Sequence, residues 1–298
     1  MAFKSLDDLI LFAQSRPKRR IAVAAASDHH VLEAIKRACE LKIAEPYLIG
    51  DPKEINAIAA SIGLKNDQFE IVDEPDPAKA CVLAVSLIRD GKAEILMKGM
   101  VPTAILLKAV LNKDSGLRKR ETLSHFALFQ TSHYHKLLGV SDAAMNISPS
   151  LSEKTNIIEN AVEVMHKLGI SNPKVAVLAP IETVNDKIPS STDAASLTRM
   201  FQEQHINHCI VYGPLALDNA VSKEAALQKG IHSEVAGDAD ILIAPDLNSG
   251  NILYKSLIFL SDGKAAAIIT GANAPIVLTS RADSEMNKLY SIALAAAL

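Results

Sequence analysis

The sequence predicts an α/β protein of two domains, with mostly parallel sheets flanked by helices. Three observations predict it. Short aliphatic runs alternate with longer segments of helical spacing along most of the chain. The apolar content, 49% of 298 residues, is carried mainly by Ala, Ile, Leu and Val, with 4% aromatic residues and no Trp. Small aliphatics of this kind suit parallel strands buried under helices. The alternation breaks once, where residues 131–136 alone separate two aliphatic runs.

Residues 20–25 read as a buried strand and 28–41 as an amphipathic helix. The next strand, 46–49, is ended by Gly50-Asp51-Pro52 and followed by a helix to 62. Residues 69–72 repeat the theme, and a helix at 77–89 closes at Gly91. A strand at 94–97 and a helix at 102–111 complete a series of βαβ units, which build a parallel sheet. The runs 123–130 and 137–140 are two strands without a helix between them, which predicts a hairpin or a crossing between domains. The alternation then resumes with helices at 151–168, 193–204, 216–229 and 251–260 and strands at 174–178, 209–212, 240–244, 265–270 and 276–278. A helix at 283–298 closes the chain. The expected domains are residues 1–130 with 270–298, and 131–269.

The formal net charge is -3, from 31 basic and 34 acidic residues. This balance argues against the basic face that nucleic-acid binding needs. Cys39, Cys81 and Cys209 form no CxxC pair and read as small buried hydrophobes in a reducing compartment. Residues 1–20 lack the apolar stretch of a signal peptide, and no segment has the length of a membrane span. A cytoplasmic location is expected, with no nucleic-acid or membrane partner.

In open parallel sheets, ligands bind beyond the carboxyl ends of the strands. Three strand-to-helix junctions qualify. Thr279-Ser280-Arg281-Ala282-Asp283-Ser284 follows a strand and opens the final helix, where unpaired N–H groups favour an anion. Ser280 can cap that helix or donate to an oxyanion, and Arg281 adds a planar fork suited to phosphate. An ordinary cap with Arg281 in a surface salt bridge fits the spacing equally well. Met97-Lys98-Gly99-Met100-Val101-Pro102-Thr103 combines a charge at Lys98, a glycine that admits a ligand to the backbone, and Thr103 at a helix start. Taken alone, it reads better as a turn with an exposed lysine. Asp246-Leu247-Asn248-Ser249-Gly250-Asn251 reads as turn chemistry. GxGxxG, GxSxG and HExxH are absent, which argues against a nicotinamide fold, a serine elbow and a zincin. The pairs His133/His135 and His205/His208 lack a third ligand and read as surface residues. Asp238 and Asp240 read as a solvated turn rather than a divalent-ion site.

Ala274-Pro275-Ile276-Val277-Leu278-Thr279, followed by Ser280-Arg281-Ala282-Asp283-Ser284, resembles the C-terminal signature of the phosphate acetyl/butyryltransferase family, closer to its butyryl branch. The likeness extends over nearly the whole chain. It takes in Met97-Lys98-Gly99, Leu123-Ser124-His125, Ser141-Asp142-Ala143-Ala144-Met145-Asn146, and the stretches 213–220, 237–242 and 250–257. The resemblance implies a fold similar to isocitrate and isopropylmalate dehydrogenases, with two α/β domains flanking a cleft and the last helix returning to the first domain. It implies reversible transfer of a short acyl group, butyryl first, from coenzyme A to inorganic phosphate, giving acyl phosphate. It implies a homo-oligomer and no metal or organic cofactor.

By the same resemblance, Ser280 and Arg281 handle the thiol and the phosphate. The acetyl branch carries an aspartate seven residues after the serine, proposed as the base. Asn287 stands there in this chain and cannot take a proton, so the role passes to Asp283 or another carboxylate, or no dedicated base exists. An arginine of the acetyl branch is matched by Lys108. The expected substrate-binding set is Lys98, Gly99, Thr103, Lys108, Ser124, His125 and Asn251. The competing readings are a phosphate acetyltransferase, a metal-dependent hydroxy-acid dehydrogenase of the same fold, and a non-catalytic small-molecule-binding protein.

Overall fold

In the computed structural model, residues 3–279 and 283–298 are described. The first part of the chain builds βα units whose helix starts are set by side-chain caps. The sequence reading places no element before residue 20, yet α1 (Leu6–Gln14) forms there. Its buried Leu6, Leu9, Ile10 and Ala13 have the spacing of one helical face. β1 (Arg19–Ala24) leads into α2 (His29–Glu40), where Asp28 Oδ1 accepts from Val31 N at 2.9 Å. β2 (Ala44–Gly50) leads into α3 (Pro52–Ile62), and β3 (Glu70–Asp73) into α4 (Pro77–Arg89). In both helices an aspartate caps and proline occupies the first turn, where its missing N–H is no loss. β4 (Ile95–Lys98) leads into α5 (Thr103–Val110).

β5 (Ser124–Gln130) and β6 (Leu138–Ser141) form an antiparallel hairpin, with Ala127 opposite Val140. The break in the alternation is this hairpin. α6 (Leu151–Lys167) opens on a reciprocal capping box between Ser150 and Glu153. β7 (Lys174–Leu178) precedes α7 (Pro189–Gln202), which starts ahead of the expected 193 because Pro189 can occupy its first turn. After β8 (Ile210–Leu215), the helix expected at 216–229 is two: α8 (Leu217–Val221) and α9 (Lys223–Gln228). Ser222 is extended between them, with φ -120, and its hydroxyl caps α9 through Ala225 N. β9 (Ile241–Ile243) is followed by α10 (Leu247–Phe259), capped by Asp246, so the stretch read as a turn is the first turn of a helix. β10 (Lys264–Thr270), β11 (Ile276–Val277) and α11 (Glu285–Ala297) complete the chain.

The chain divides into two compact units. One holds Asp7–Glu121 and Ala266–Leu298, and its strands lie in the order β3-β2-β1-β4-β11-β10. Every pair there is parallel except β10 with β11. The other holds Thr122–Ala265 with the start of the chain to Leu6, in the order β5-β6-β9-β7-β8, parallel except for the hairpin. The architecture is therefore mixed α/β, with mostly parallel strands flanked by helices.

α11 is anchored in the first of these units. The Tyr290 hydroxyl donates to Asp7 Oδ1 at 2.8 Å, Arg16 donates to Ala297 O at 2.8 Å, and Ala267 N donates to Ser291 Oγ at 2.9 Å. Residues 289–297 are buried, so the apolar C-terminal run is used inside its own unit. Among the described residues, no helix is long and apolar enough to cross a membrane.

Candidate active site

β1, β4 and β11 are neighbours and mutually parallel, so their carboxyl ends emerge on one edge. A cavity of about 270 Å³ opens there, lined by Asp28, His30, Val31, Lys98, Gly99, Met100, Thr279 and Lys288. This is the position at which open parallel sheets bind ligands. The β1–α2 and β4–α5 loops are fastened to each other by backbone bonds. Gly99 N donates to Ala24 O at 2.8 Å and Met100 N to Ala25 O at 2.7 Å. Lys98, at the last position of β4, is half-buried rather than exposed. Its ammonium donates to Gly99 O at 3.1 Å and Val101 O at 3.2 Å. The same ammonium acts on the buried thiol of Cys81. Burial pushes that thiol up to about 11, and Lys98 opposes the rise.

Thr279 brings the end of β11 to the cavity, and Lys288 brings the first turns of α11. The cap of α11 is Ser284, whose hydroxyl accepts from Asn287 N at 3.1 Å. Lys288 Nζ donates to the backbone oxygen of Asp283. Asn287 is 8% exposed, a buried amide. Ser280 and Arg281 lie outside the described residues. In sequence they follow directly on Thr279 of the cavity wall.

The remaining expected residues are distributed otherwise. Thr103 opens α5 and is half-buried, and Lys108 is exposed on its last turn. Among the described residues, neither lines the cavity. Ser124, His125 and Asn251 belong to the other unit. There, Asn160 Nδ2 donates to Ser124 Oγ at 3.0 Å. The buried His125 ring meets Tyr254 edge-on at 5.6 Å, and its carbonyl accepts from Ser141 Oγ at 2.9 Å. Asn251 Nδ2 donates to Ala143 O at 3.0 Å. His125 and Asn251 thus support the 141–146 loop, which is organised by Asp142. Its Oδ1 accepts from the backbone of Ala144 and Met145 at 2.8 and 2.9 Å, and its Oδ2 from Asn146 N at 3.2 Å. Asp142 is 3% exposed, and this buried carboxylate is satisfied by the loop it shapes.

Sequence reasoning missed Asp28, His30 and Lys288 as cavity residues, whereas Thr279 belongs to a junction that the sequence selects. Asp28 carried a visible signal, but it was that of a helix cap. The other two had none, because nothing local distinguishes a cavity-facing side chain on a helix from a solvated one. Asp238 and Asp240 are also corrected. Asp238 lies among basic side chains, with Lys136 at 3.0 Å, His135 at 2.8 Å, and Lys174, while Lys136 also meets Asp240 at 2.6 Å. Burial alone would raise the Asp238 carboxyl, but the hydrogen bonds from Lys174, Lys136 and His135 outweigh it and hold the group far below the usual carboxylate range. Among the described residues, His29, His30 and Glu33 come close enough together to share a cation, but both histidines are exposed and pair with Glu33 at 3.3 and 3.5 Å.

A family model described as phosphate acetyl/butaryl transferase matches residues 5–80 and 76–296. The chain is 48% identical over 293 residues to the phosphate butyryltransferase of Clostridium acetobutylicum, across 98% of this chain and 97% of that protein. It is 45% identical over 291 residues to the phosphate acetyltransferase of Thermotoga maritima, across 98% of each. Among solved structures, a branched-chain phosphotransacylase from Enterococcus faecalis matches with a TM-score of 0.83 at 35% identity, across 93% of this chain and 97% of that one. A 4-hydroxythreonine-4-phosphate dehydrogenase from Burkholderia phymatum shares the fold alone, with a TM-score of 0.57 at 13% identity across 95% of this chain and 98% of that one.

Proposed function

Because the chain belongs to the phosphate acetyl/butyryltransferase family, we propose that it transfers a short acyl group, butyryl before acetyl, between coenzyme A and inorganic phosphate. The observation that carries this reading is the cavity at the carboxyl ends of β1, β4 and β11. It presents two lysines, and its Thr279 wall continues in sequence into Ser280-Arg281. A cationic hollow of this size suits a phosphate group. The preference for butyryl is supported by the name of the Clostridium relative, and the Thermotoga relative keeps acetyl as the second reading.

In the direction of acyl phosphate formation, a phosphate oxygen attacks the thioester carbonyl. A C–O bond forms, the C–S bond breaks, and the leaving thiolate takes the proton that the attacking phosphate gives up to the base. Arg281 holds the phosphate, and Ser280 hydrogen-bonds the sulfur or the developing oxyanion. Asp283 is the carboxylate nearest to them in sequence and is assigned as the base, since Asn287 has no titratable group. The chemistry proceeds by positioning and electrostatics, without a covalent enzyme intermediate and without a metal or organic cofactor. The same reading, resting on family resemblance, carries a cytoplasmic homo-oligomer. Light scattering that returned a monomer mass at micromolar concentration would remove the oligomer.

The decisive experiment measures free thiol released from acetyl-, butyryl- and branched acyl-CoA on addition of inorganic phosphate. Phosphate-dependent release, fastest with butyryl-CoA, is expected. Release fastest with acetyl-CoA would replace butyryl by acetyl, and no release from any donor would overturn acyl transfer.

A further inference from the structure

Among the described residues two lysines are buried, Lys154 at 5% exposure and Lys288 at 4%. The fold treats them differently. Lys154 meets a carboxylate, Asp193 Oδ2, at 2.6 Å. Lys288 meets the backbone carbonyl of Asp283, and among the described residues no carboxylate pairs with it. The residues outside the description, Met1, Ala2, Ser280, Arg281 and Ala282, bring no acidic side chain. A charge removed from water is costly unless it is paired. An ammonium has three donors, and the Asp283 carbonyl takes one.

Lys288 also lines the cavity, together with Lys98. An anion in this hollow would supply the counter-charge that Lys288 lacks. Asp28 is the carboxylate on the cavity wall, and its Oδ1 is engaged in capping α2. Lys108, the position at which a second substrate cation was expected, is exposed and away from the described lining.

We propose that Lys288 binds the transferred phosphate directly, as the counter-charge that the protein itself does not provide. This rests on the acyl-transfer reading and deepens it. Two of the ammonium's N–H groups face the phosphate oxygens, and the third stays on the Asp283 carbonyl, so phosphate binding and the position of the 283 backbone are tied together.

Steady-state kinetics on Lys288→Met and Lys288→Arg test it. Loss of a charge-assisted hydrogen bond should raise KM for inorganic phosphate about 10- to 100-fold in Lys288→Met. KM for acyl-CoA should stay within about threefold, a split that a merely structural lysine would not produce. Lys288→Arg should recover most of the phosphate affinity. A folded Lys288→Met whose phosphate KM stays within about twofold of the parent overturns the proposal. If Lys288→Met does not fold, reductive methylation of the parent protein decides. Saturating inorganic phosphate should suppress dimethylation of Lys288, mapped by mass spectrometry, and equal modification with and without phosphate would reject the role. A parent inactive toward every acyl-CoA would sink the acyl-transfer reading, and the methylation experiment would still decide whether Lys288 binds phosphate.

Discussion

Gly99 packs against the carbonyl oxygen of Ala25 so closely that a methyl group on it would lie 2.1 Å from that oxygen. The contact closes the floor of the cavity, where the end of β4 is fastened to the end of β1 by the bonds from Gly99 N and Met100 N. The obstacle is backbone on both sides, so no side chain can rotate away to make room. Gly99→Ala should therefore destabilise the protein by about 1–3 kcal/mol, the usual cost of overpacking, and should also lower turnover. Urea unfolding checks the first part. A change of only a few tenths of a kcal/mol would show that the loop yields.

Arg281→Gln removes the charge while keeping much of the side-chain bulk. If Arg281 holds the phosphate, the loss should cost about a hundred- to thousandfold in rate. Affinity for phosphate should weaken, and affinity for coenzyme A should change much less. Arg281→Lys should rescue only in part, because a point charge does not reproduce the guanidinium fork. Turnover within a few-fold of the parent in a folded Arg281→Gln protein would make a surface salt bridge the better account.

The Lys154–Asp193 pair joins α6 to α7 through a buried ammonium and a carboxylate that is 32% exposed. Asp193→Ala strands the ammonium and should cost about 3 kcal/mol, near the low end for a broken buried pair because of that exposure. Lys154→Met with Asp193→Leu should recover most of the loss. Chemical denaturation of the two variants gives the comparison, and a double variant no more stable than Asp193→Ala would contradict it.

The Asp238 cluster predicts a pH dependence. The folded state holds this carboxyl below its ordinary value. Its stabilising contribution is therefore complete above the unfolded value near pH 4 and is lost as pH falls through the folded value. Lys174 is shifted the other way, upward, chiefly by its hydrogen bond to Asp238. Its contribution is complete below the ordinary lysine value and is lost in strong alkali. The parent should be more stable than Asp238→Asn at pH 7, with the gap narrowing below about pH 4. A gap that stays constant from pH 7 to pH 3 would remove the carboxylate from the account.

The local chemistry of the chain determined much by itself. Asp28, Asp51, Asp76 and Ser150 announce helix starts, because each supplies an oxygen to N–H groups that the helix leaves unpaired. The alternation of aliphatic runs and helices determined the α/β class, and the order of short motifs pointed to the family. It was also enough to select the loops after β4 and β11 as candidates, since a strand-to-helix junction is recognisable locally. Tertiary structure alone decided which side chains share a site. Lys98 and Lys288 are far apart in the chain and line one cavity because β4 pairs with β11, a long-range choice that no local signal encodes. The burial of Lys288 was equally hidden, because α11 is covered from Leu289 to Ala297 and shows no polar stripe from which a cavity-facing position could be read. Conversely, Ser124, His125 and Asn251 looked available in the sequence, and only the fold showed the partners that each already has in its own unit.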